Sequence, residues 1–378
     1  MTNTYTLYGS YASYYTAKTR TYLRKKGIPF VERLPSDPMF RNKVRPGSGS
    51  HRIPQLLTPD GQVIQDSIEI LDALEPLFPQ IPAFPDSPTQ RSFVHLMELL
   101  ASEGLVRLAW LHRWLFEENY SFVKKDFGRS FKPQGSDEDL QKYGDLIADR
   151  MMSYGLPEST PAARAAVDEQ YLELLRLFER HLTDHPYFLG GHPSAADYAI
   201  MGAMHAHLGR DPAGLRMMQD NAPRTFRWVE HMIVPEIQSP EFFSRPIEYM
   251  ADDEVPESAV AILRFLADNF GEQFVLGSLA FNQSMVRIDA QSGHELAPDQ
   301  DQPGLSVESV SYADSVVDHT ASLHGVWVSQ RSQKHFQSLD GEAKQRILTK
   351  FGSQILTDLL TDPVAYPLAR RNNRLTVA

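Results

Sequence analysis

Residues 51–77 constrain the fold more than any other stretch of this chain, because four structural signals follow one another within them. The stretch reads HRIPQLLTPDGQVIQDSIEILDALEPL. A proline precedes a short apolar segment, as at a strand start, and the Pro-Asp-Gly sequence that follows is typical of a turn. A second short strand returns, and a helix with apolar residues at helical spacing opens at Asp66-Ser67. The stretch therefore predicts a β-hairpin followed by a helix.

The junctions of this ββα unit could hold a small molecule. The free N–H groups and positive dipole end of a helix start suit a carboxylate. A cis peptide bond before Pro54 would turn the backbone of Ile53 outward at the sheet edge, where a peptide-like ligand could pair with it. An ordinary hairpin with a capped helix explains the same residues without a ligand. From these residues alone, both interpretations stay open.

Composition narrows the class of protein. A length of 378 residues allows two or three domains. The formal charge of −11 argues against nucleic acid and anionic membranes as main partners. Because we find neither a bilayer-length apolar run nor a signal-peptide pattern, we expect a cytoplasmic protein. The chain has no cysteine, which excludes disulfides, cysteine nucleophiles and thiolate metal sites, and no other metal-binding motif is predicted.

The order of predicted elements divides the chain into three parts. Residues 1–80 read as β-α-β-loop-β-β-α, a compact α/β unit. A proline-rich linker over 76–89 leads into a helical domain over 88–250. Residues 251–378 form a C-terminal extension that we predict to be mostly helical.

Several stretches beyond the linker carry specific predictions. Residues 92–118 predict one long apolar helix, whereas 125–160 are polar and glycine-containing and predict a loop or broken helix. Residues 289–304 predict an exposed loop, and 305–312 fit a strand or a helix equally well. A basic tail near the end is typical of a solvated terminus. It contains Arg370, Arg371 and Arg374.

Four sequence motifs, which occur in the same order as in the glutathione S-transferases, resemble motifs of that family. LYGSYAS, followed by a helix ending KKGIPF, is similar to the family's first strand, active-site loop and helix; IPQL is similar to its cis-proline element, QDS to its Glu/Gln-Ser element, and FLGGHPSAADYAI to its helical-domain capping motif. The resemblance covers residues 4–235 and implies a thioredoxin-like N-terminal domain followed by an all-helical C-terminal domain. The stretch WVSQRSQKHFQSL resembles C-terminal extensions of some bacterial members.

The resemblance implies that the chain binds glutathione as a co-substrate and activates its thiol. A free thiol is mostly protonated at neutral pH, and a hydroxyl that donates to the sulfur favours the thiolate. Ser13 falls where the serine-type, theta- and zeta-like members carry their serine, and the helix after it adds its positive end. Tyr14, Tyr15 and Tyr8 are the alternative donors, although ordinary aromatic packing also explains these tyrosines.

The glutathione contacts carry over from the family by position. Ile53, before Pro54, is expected to pair through its backbone with the cysteinyl part of glutathione. Asp66 is expected to face the ammonium of the γ-glutamyl group. Ser67 and the helix N–H groups would face its carboxylate, although Ser67 could equally be a plain N-cap.

Two further regions of the site are predicted with open alternatives. Arg52 or His51 could meet the glycyl carboxylate of glutathione, although a solvated charge explains them equally, and the segment PGSGSHRIP is longer than its family counterpart. Arg107, Trp110 and Trp114 share one helix face by spacing. They could wall a pocket for a hydrophobic second substrate, or form a stripe in the core.

The resemblance therefore implies a transferase that presents a Ser13-stabilised glutathione thiolate to a small hydrophobic electrophile. The resemblance also implies a homodimer, with neither nucleic acid nor membrane as partner. Two alternatives remain open: a non-catalytic binding or assembly protein of the same fold, and a glutathione-dependent isomerase or lyase that uses the same site.

Overall fold

A four-stranded mixed sheet forms the N-terminal part of the protein, for which a computed structural model describes residues 4–296, 305–312, 315–371 and 373–378. The strand order is β2-β1-β3-β4, with β1 parallel to β2 and antiparallel to β3, and β4 antiparallel to β3. The predicted hairpin is therefore present. The strands are β1 (Tyr5–Tyr8), β2 (Phe30–Arg33), β3 (Gln55–Leu57) and β4 (Val63–Gln65).

Two helices flank this sheet. Helix α1 (Tyr14–Lys25) connects β1 to β2, and the chain leaves it through Gly27 at φ +65°. Helix α3 (Ser67–Leu74) buries its isoleucines and leucines against the core, and each such side chain contributes roughly 1.5–3 kcal/mol when it leaves water. Leu77 continues the apolar spacing of this helix in the sequence, but it lies beyond the helix end and is 65% exposed. The short α2 (Arg45–Ser48) follows a π-helical turn over Phe40–Val44.

The prediction of one long helix over 92–118 is wrong. Helix α4 (Pro88–Leu99) ends in a π-helical turn, Leu100–Gly104, and α5 (Val106–Trp114) continues from it. A π turn holds an extra residue, so it changes the direction in which the following side chains point. Gly104 packs directly on Phe270, because a Cβ on this glycine would lie 2.8 Å from the Cβ of Phe270.

Of the two alternatives predicted for 125–160, the loop is wrong for most of its length, whereas the broken helix agrees with the structure. Helices α6 (Tyr120–Phe131) and α7 (Asp137–Met152) pack against each other in this region. Gly128 and Gly144 allow the close approach, since a Cβ on either would lie 2.0 Å from a backbone oxygen of the facing helix. The glycines that suggested irregular structure are therefore helix-packing residues.

The remaining helices of the middle part confirm the predicted helical character of this region. They are α8 (Pro161–His181), α9 (Ala195–Met201), α10 (Pro212–Asn221) and α11 (Pro223–Met232). A capping box at the start of α9 joins Ser194 and Asp197, as the sequence predicts. None of the described helices is long and apolar enough to cross a membrane.

The extension combines helices with two β-hairpins. Residues 305–312, which fitted either type of element, form a strand. The loop predicted over 289–304 is irregular from 289 to 296, and the rest of it lies outside the described residues. The elements are α12 (Glu257–Phe270), α13 (Glu272–Arg287), β5 (Leu305–Tyr312), β6 (Ser315–Ala321), α14 (Leu323–Ser338), α15 (Gly341–Phe351), α16 (Gln354–Thr361), β7 (Leu368–Arg371) and β8 (Arg374–Val377).

One apolar core runs through all three parts of the chain. Leu71 of α3, Leu108 of α5 and Trp327 of α14 belong to the same cluster of contacting buried side chains. Helix α14 packs on α4, so the extension closes over both the sheet domain and the helical domain. Its residues therefore reach the end of the sheet where the predicted site lies.

Candidate functional site

The three N-terminal motifs meet at one end of the sheet. Tyr8 at the end of β1 pairs with Gln55 at the start of β3, and Gln55 pairs with Gln65 at the end of β4. Tyr8, Gln55 and Gln65 thus form a row across three strands. This row adjoins the loop after β1, the Ile53-Pro54 segment and the start of α3. Because neighbouring strands lie about 4.8 Å apart, the row spans about 10 Å.

Two buried arginines fix the loop between β1 and α1. Arg20 donates from Nη2 to the carbonyl of Ser10 at 3.0 Å, and Arg113 donates from Nη1 to the carbonyl of Ala12 at 3.0 Å. Each guanidinium is also held by a carboxylate: Arg20 by Glu32 at 2.6 Å and Arg113 by Asp211 at 2.7 Å. The loop is therefore held from both the sheet domain and the helical domain, which preorganises the residues that follow it.

Ser13 occupies the N-cap of α1 and is half-buried. Its Oγ accepts hydrogen bonds from the backbone N–H of Thr16 at 3.3 Å and from Thr16 Oγ1 at 2.9 Å. A hydroxyl has two acceptor lone pairs and one proton, so these two bonds leave the Ser13 proton to donate elsewhere. The hydroxyl also lies at the positive end of the helix. Such a donor suits a thiolate.

The alternative tyrosines are engaged in other contacts. Tyr14 is buried and donates its hydroxyl proton to the carbonyl of Ala101, and burial raises its pKa well above the ordinary value. Tyr15 donates to Glu103 Oε2 at 3.3 Å. Tyr8 is buried in a small apolar cluster. These contacts favour the packing interpretation for the tyrosines.

The segment before β3 is shaped by its own polar contacts. The Ile53–Pro54 peptide bond is cis. Gln55 donates from Nε2 to the carbonyls of Ser50 and Arg52, each at 2.8 Å. Ile53 packs on the cluster that contains Tyr8, while Arg52 is exposed. Ile53 therefore lies beside the row of paired residues, and the Arg52 side chain lies on the surface.

Asp66 begins α3 with an unusual backbone conformation. It is the N-cap residue, at φ +91°, and its Oδ1 accepts from the N–H of Ile68 at 2.8 Å and of Glu69 at 3.4 Å. Ser67 is the first residue of the helix, so the plain N-cap interpretation of Ser67 is wrong. A non-glycine residue at positive φ costs of order 1–3 kcal/mol and persists where the surroundings enforce it, often at functional sites.

The extension supplies two cationic side chains to this helix start. His324 lies with Nε2 at 2.8 Å from Asp66 Oδ2 and Nδ1 at 3.2 Å from Glu103 Oε2. Arg370 lies with Nη1 at 3.5 Å from Asp66 Oδ2 and donates from Nη2 to the side chain of Gln65. The prediction of a solvated basic tail is therefore wrong for Arg370, whose side chain is only 5% exposed.

These contacts shift the titration of both partners. Burial alone would raise the pKa of Asp66, but His324 and Arg370 hold it well below its usual range. Burial alone would lower the pKa of His324, but the carboxylates of Glu103 and Asp66 raise it to about 10. The site therefore holds an imidazolium between two carboxylates at neutral pH.

We expect the contribution of this imidazolium to the stability of the protein to be lost at alkaline pH. Because the folded protein raises the His324 pKa from about 6.5 to about 10, its contribution is complete below pH 6.5 and disappears as the pH rises through 10. His324→Gln should therefore lower the melting temperature at pH 6, by an amount that corresponds to about 2 kcal/mol, and much less at pH 10. Melting curves across this range test the prediction, with His294→Gln, which replaces an exposed histidine, as a control. An equal effect of His324→Gln at both pH values would contradict it.

The predicted second-substrate residues point in different directions. Arg107 donates from Nη2 to the carbonyl of Asn269 at 2.7 Å. Trp114 is buried and stacks on Phe127 at 6.1 Å between ring centroids, in a cluster with α6 and α7, while Trp110 is partly buried beside it. This arrangement favours a core role for Trp114. Among the described residues, no group of three or more histidines and carboxylates is placed to hold a metal ion.

Sequence reasoning missed three residues of the site: Glu103, His324 and Arg370. No local pattern marks them, since each reaches the site from a distant element. His324 is 258 positions from Asp66 along the chain. Glu103 lies in the π-helical turn between α4 and α5, where a continuous helix was expected.

Comparison with known proteins agrees with this architecture. The family model described as glutathione S-transferase, N-terminal domain, matches residues 12–77, and the corresponding C-terminal domain model matches residues 161–231. No curated protein matches the chain.

Solved structures similar to this one include two glutathione S-transferases and a β-etherase. A glutathione S-transferase of Methylobacterium radiotolerans in complex with glutathione sulfonate is 21% identical, covers 67% of this chain and 100% of that one, and has a TM-score of 0.36. Rice GST1 in complex with glutathione is 18% identical, covers 64% of this chain and 93% of that one, and has a TM-score of 0.37. A β-etherase from Sphingobium is 21% identical, covers 60% of this chain and 94% of that one, and has a TM-score of 0.41. The matches over residues 12–77 and 161–231, together with the thioredoxin-like sheet domain and the helical domain after it, support the glutathione S-transferase family for this chain.

Proposed function

We propose that the protein is a glutathione transferase in which Ser13 stabilises the glutathione thiolate. The hydrogen bonding of Ser13 carries this proposal: its oxygen accepts two bonds from Thr16, which leaves its proton for the sulfur. The positive end of α1 favours the same charge. The two family matches support a glutathione-dependent activity in general.

Glutathione would lie along the row of paired residues at the end of the sheet. Its cysteinyl part would pair with the backbone of Ile53, and its γ-glutamyl end would meet the start of α3 at Ser67. Its glycyl carboxylate would extend towards the exposed Arg52. The second substrate, a small hydrophobic electrophile, would approach from the helical domain.

In this reaction the Ser13 hydroxyl acts as a fixed hydrogen-bond donor. A bond to sulfur stabilises the thiolate over the thiol, so more of the bound glutathione is ionised at neutral pH. The thiolate attacks the electrophilic carbon, a C–S bond forms and the leaving group departs with the electron pair of the broken bond. Because Arg20 and Arg113 hold the preceding loop, the donor is in place before the substrate binds.

Calorimetric titration with glutathione tests this proposal, together with conjugation of a generic aryl halide. We expect saturable binding of glutathione and much weaker binding of cysteinylglycine, which lacks the γ-glutamyl group. Absence of both binding and activity would favour the alternative of a non-catalytic binding protein. Binding with turnover of an aryl ether or an isomerisation substrate, but not of the halide, would assign the site to lyase or isomerase chemistry. The homodimer and the cytoplasmic location remain predictions.

A further inference from the structure

The C-terminal extension reaches the helix start where the γ-glutamyl group of glutathione is expected to bind. We propose that the extension, together with Glu103 of the π-helical turn Leu100–Gly104, completes this end of the site: Arg370 binds the α-carboxylate of the ligand, Glu103 binds its ammonium, and His324 positions both. This inference rests on the proposed binding of glutathione. All three residues lie outside the matched segments 12–77 and 161–231, and His324 and Arg370 also lie beyond the resemblance over residues 4–235.

Both carboxylate oxygens of Asp66 already have partners in the protein. Its Oδ1 accepts from the N–H groups of Ile68 and Glu69, and its Oδ2 lies at 2.8 Å from His324 and 3.5 Å from Arg370. Two backbone donors and two cations already surround this carboxylate. A ligand ammonium would gain little from it, so a second acceptor is needed for the positive charge.

Glu103 offers that acceptor. Its Oε2 lies near His324 at 3.2 Å and accepts from Tyr15 at 3.3 Å, whereas its Oε1 is buried and accepts no hydrogen bond from any described residue. The side chain is 8% exposed. A buried carboxylate oxygen without a donor is costly, which indicates that a ligand supplies one. Since a single imidazole joins Glu103 to Asp66, this oxygen lies close to the start of α3.

Arg370 offers the matching donor for a carboxylate. Among the described residues, the contacts of its Nη1 are long, 3.5 Å to Asp66 and 3.5 Å to the carbonyl of Gln65, so this nitrogen is weakly used. The guanidinium is oriented by the Trp327 ring, whose centroid lies 5.4 Å away. A planar guanidinium suits carboxylate recognition, and the positive end of α3 adds to it.

The charges of this group match a zwitterion. Asp66 and Glu103 carry two negative charges, and His324 and Arg370 carry two positive ones, so the group is neutral overall. A ligand end with one ammonium and one carboxylate can pair with both kinds of group without leaving a net buried charge. The γ-glutamyl end of glutathione has this chemistry, and a simple thiol or a dicarboxylate does not.

A ligand series on the full-length protein tests the assignment. The ligands are glutathione, glutaryl-cysteinylglycine, which lacks the amino group, and 4-aminobutanoyl-cysteinylglycine, which lacks the α-carboxylate. We expect Glu103→Gln to weaken glutathione binding roughly 10- to 100-fold but to leave the glutaryl ligand nearly unchanged. We expect Arg370→Gln to weaken glutathione binding by a similar factor but to leave the aminobutanoyl ligand nearly unchanged.

Controls separate this result from a structural effect. Arg374→Gln removes a half-exposed arginine of the same hairpin, paired with Glu295, and should leave all affinities unchanged. Arg370→Lys keeps the charge and should recover part of the lost affinity. Equal losses for all three ligands, or tighter glutathione binding by Arg370→Gln, would overturn the inference, the latter because it would make Arg370 a competitor of the ligand. If the wild-type protein binds none of the three ligands, the proposed function itself fails.

Discussion

Replacing Ser13 with alanine is expected to lower kcat/KM for an aryl halide roughly 100-fold while glutathione affinity stays nearly unchanged. The variant keeps the backbone and helix start that would bind glutathione, but it loses the hydroxyl proton that is free to meet the sulfur. The pKa of the bound thiol should therefore rise. Steady-state kinetics and the ultraviolet absorbance of the thiolate as a function of pH measure both effects.

Two further variants separate catalysis from helix capping. Ser13→Ala also removes the N-cap of α1, which costs about 1 kcal/mol of stability, whereas glycine at an N-cap costs only a few tenths. Ser13→Gly should therefore lose as much activity as Ser13→Ala but less thermal stability, and Ser13→Thr should retain much of both. Unchanged turnover of Ser13→Ala would instead assign the donor to a tyrosine, with Tyr15→Phe as the next variant.

Replacing Arg113 with methionine is expected to destabilise the protein by about 3–5 kcal/mol. This arginine is 2% exposed, pairs with Asp211, and donates to the carbonyls of Ala12 and Ala206. The variant leaves a buried carboxylate without its cation and releases the loop that precedes Ser13. Urea denaturation should show the loss of stability, and activity below the unfolding transition should fall as well.

A second substitution shows how much of this loss of stability comes from the Asp211 carboxylate that is left buried without its cation. Arg113→Met combined with Asp211→Leu should recover part of the stability, because a buried ion pair can be replaced by apolar side chains. Recovery should be incomplete, since two buried carbonyls still lack their donor. Arg164→Met, which breaks a half-exposed pair with Glu118, serves as the control and should cost less than about 1 kcal/mol. A similarly small cost for Arg113→Met would contradict the assigned role.

The N-terminal unit was predictable because its signals are local. The turn before β4, the glycine that closes α1 and the helix opened by Asp66 each depend on a few neighbouring residues. Chain order then places the three motifs at one end of the sheet. The strand register places Ile53 and Ser67 beside that row, because they lie next to the paired residues Gln55 and Gln65.

The rest of the site could not be predicted, because it depends on distant contacts. A polar arginine near a terminus reads as solvated, and only the folded chain shows that Arg370 packs on Trp327 beside Asp66. Helical periodicity over residues 92–118 predicted that Glu103 lies within a regular helix. In the structure Glu103 lies in a π-helical turn, whose extra residue changes the direction in which the side chain points. The partners of Asp66 come from segments that no local pattern connects to α3.

The three parts of this chain share one core, so none of them can be removed without exposing part of that core. Buried side chains of α3, α4 and α14 contact one another within one cluster, and Arg331 of α14 pairs with Asp72 of α3 and approaches the buried Glu98 of α4. The part that resembles the family is therefore not a removable module with an appendage. A gene fragment ending near residue 250 would expose an apolar face of α4 and leave Glu98 with fewer cations. Truncated variants and chimaeras therefore need the whole chain to report on the proposed glutathione site.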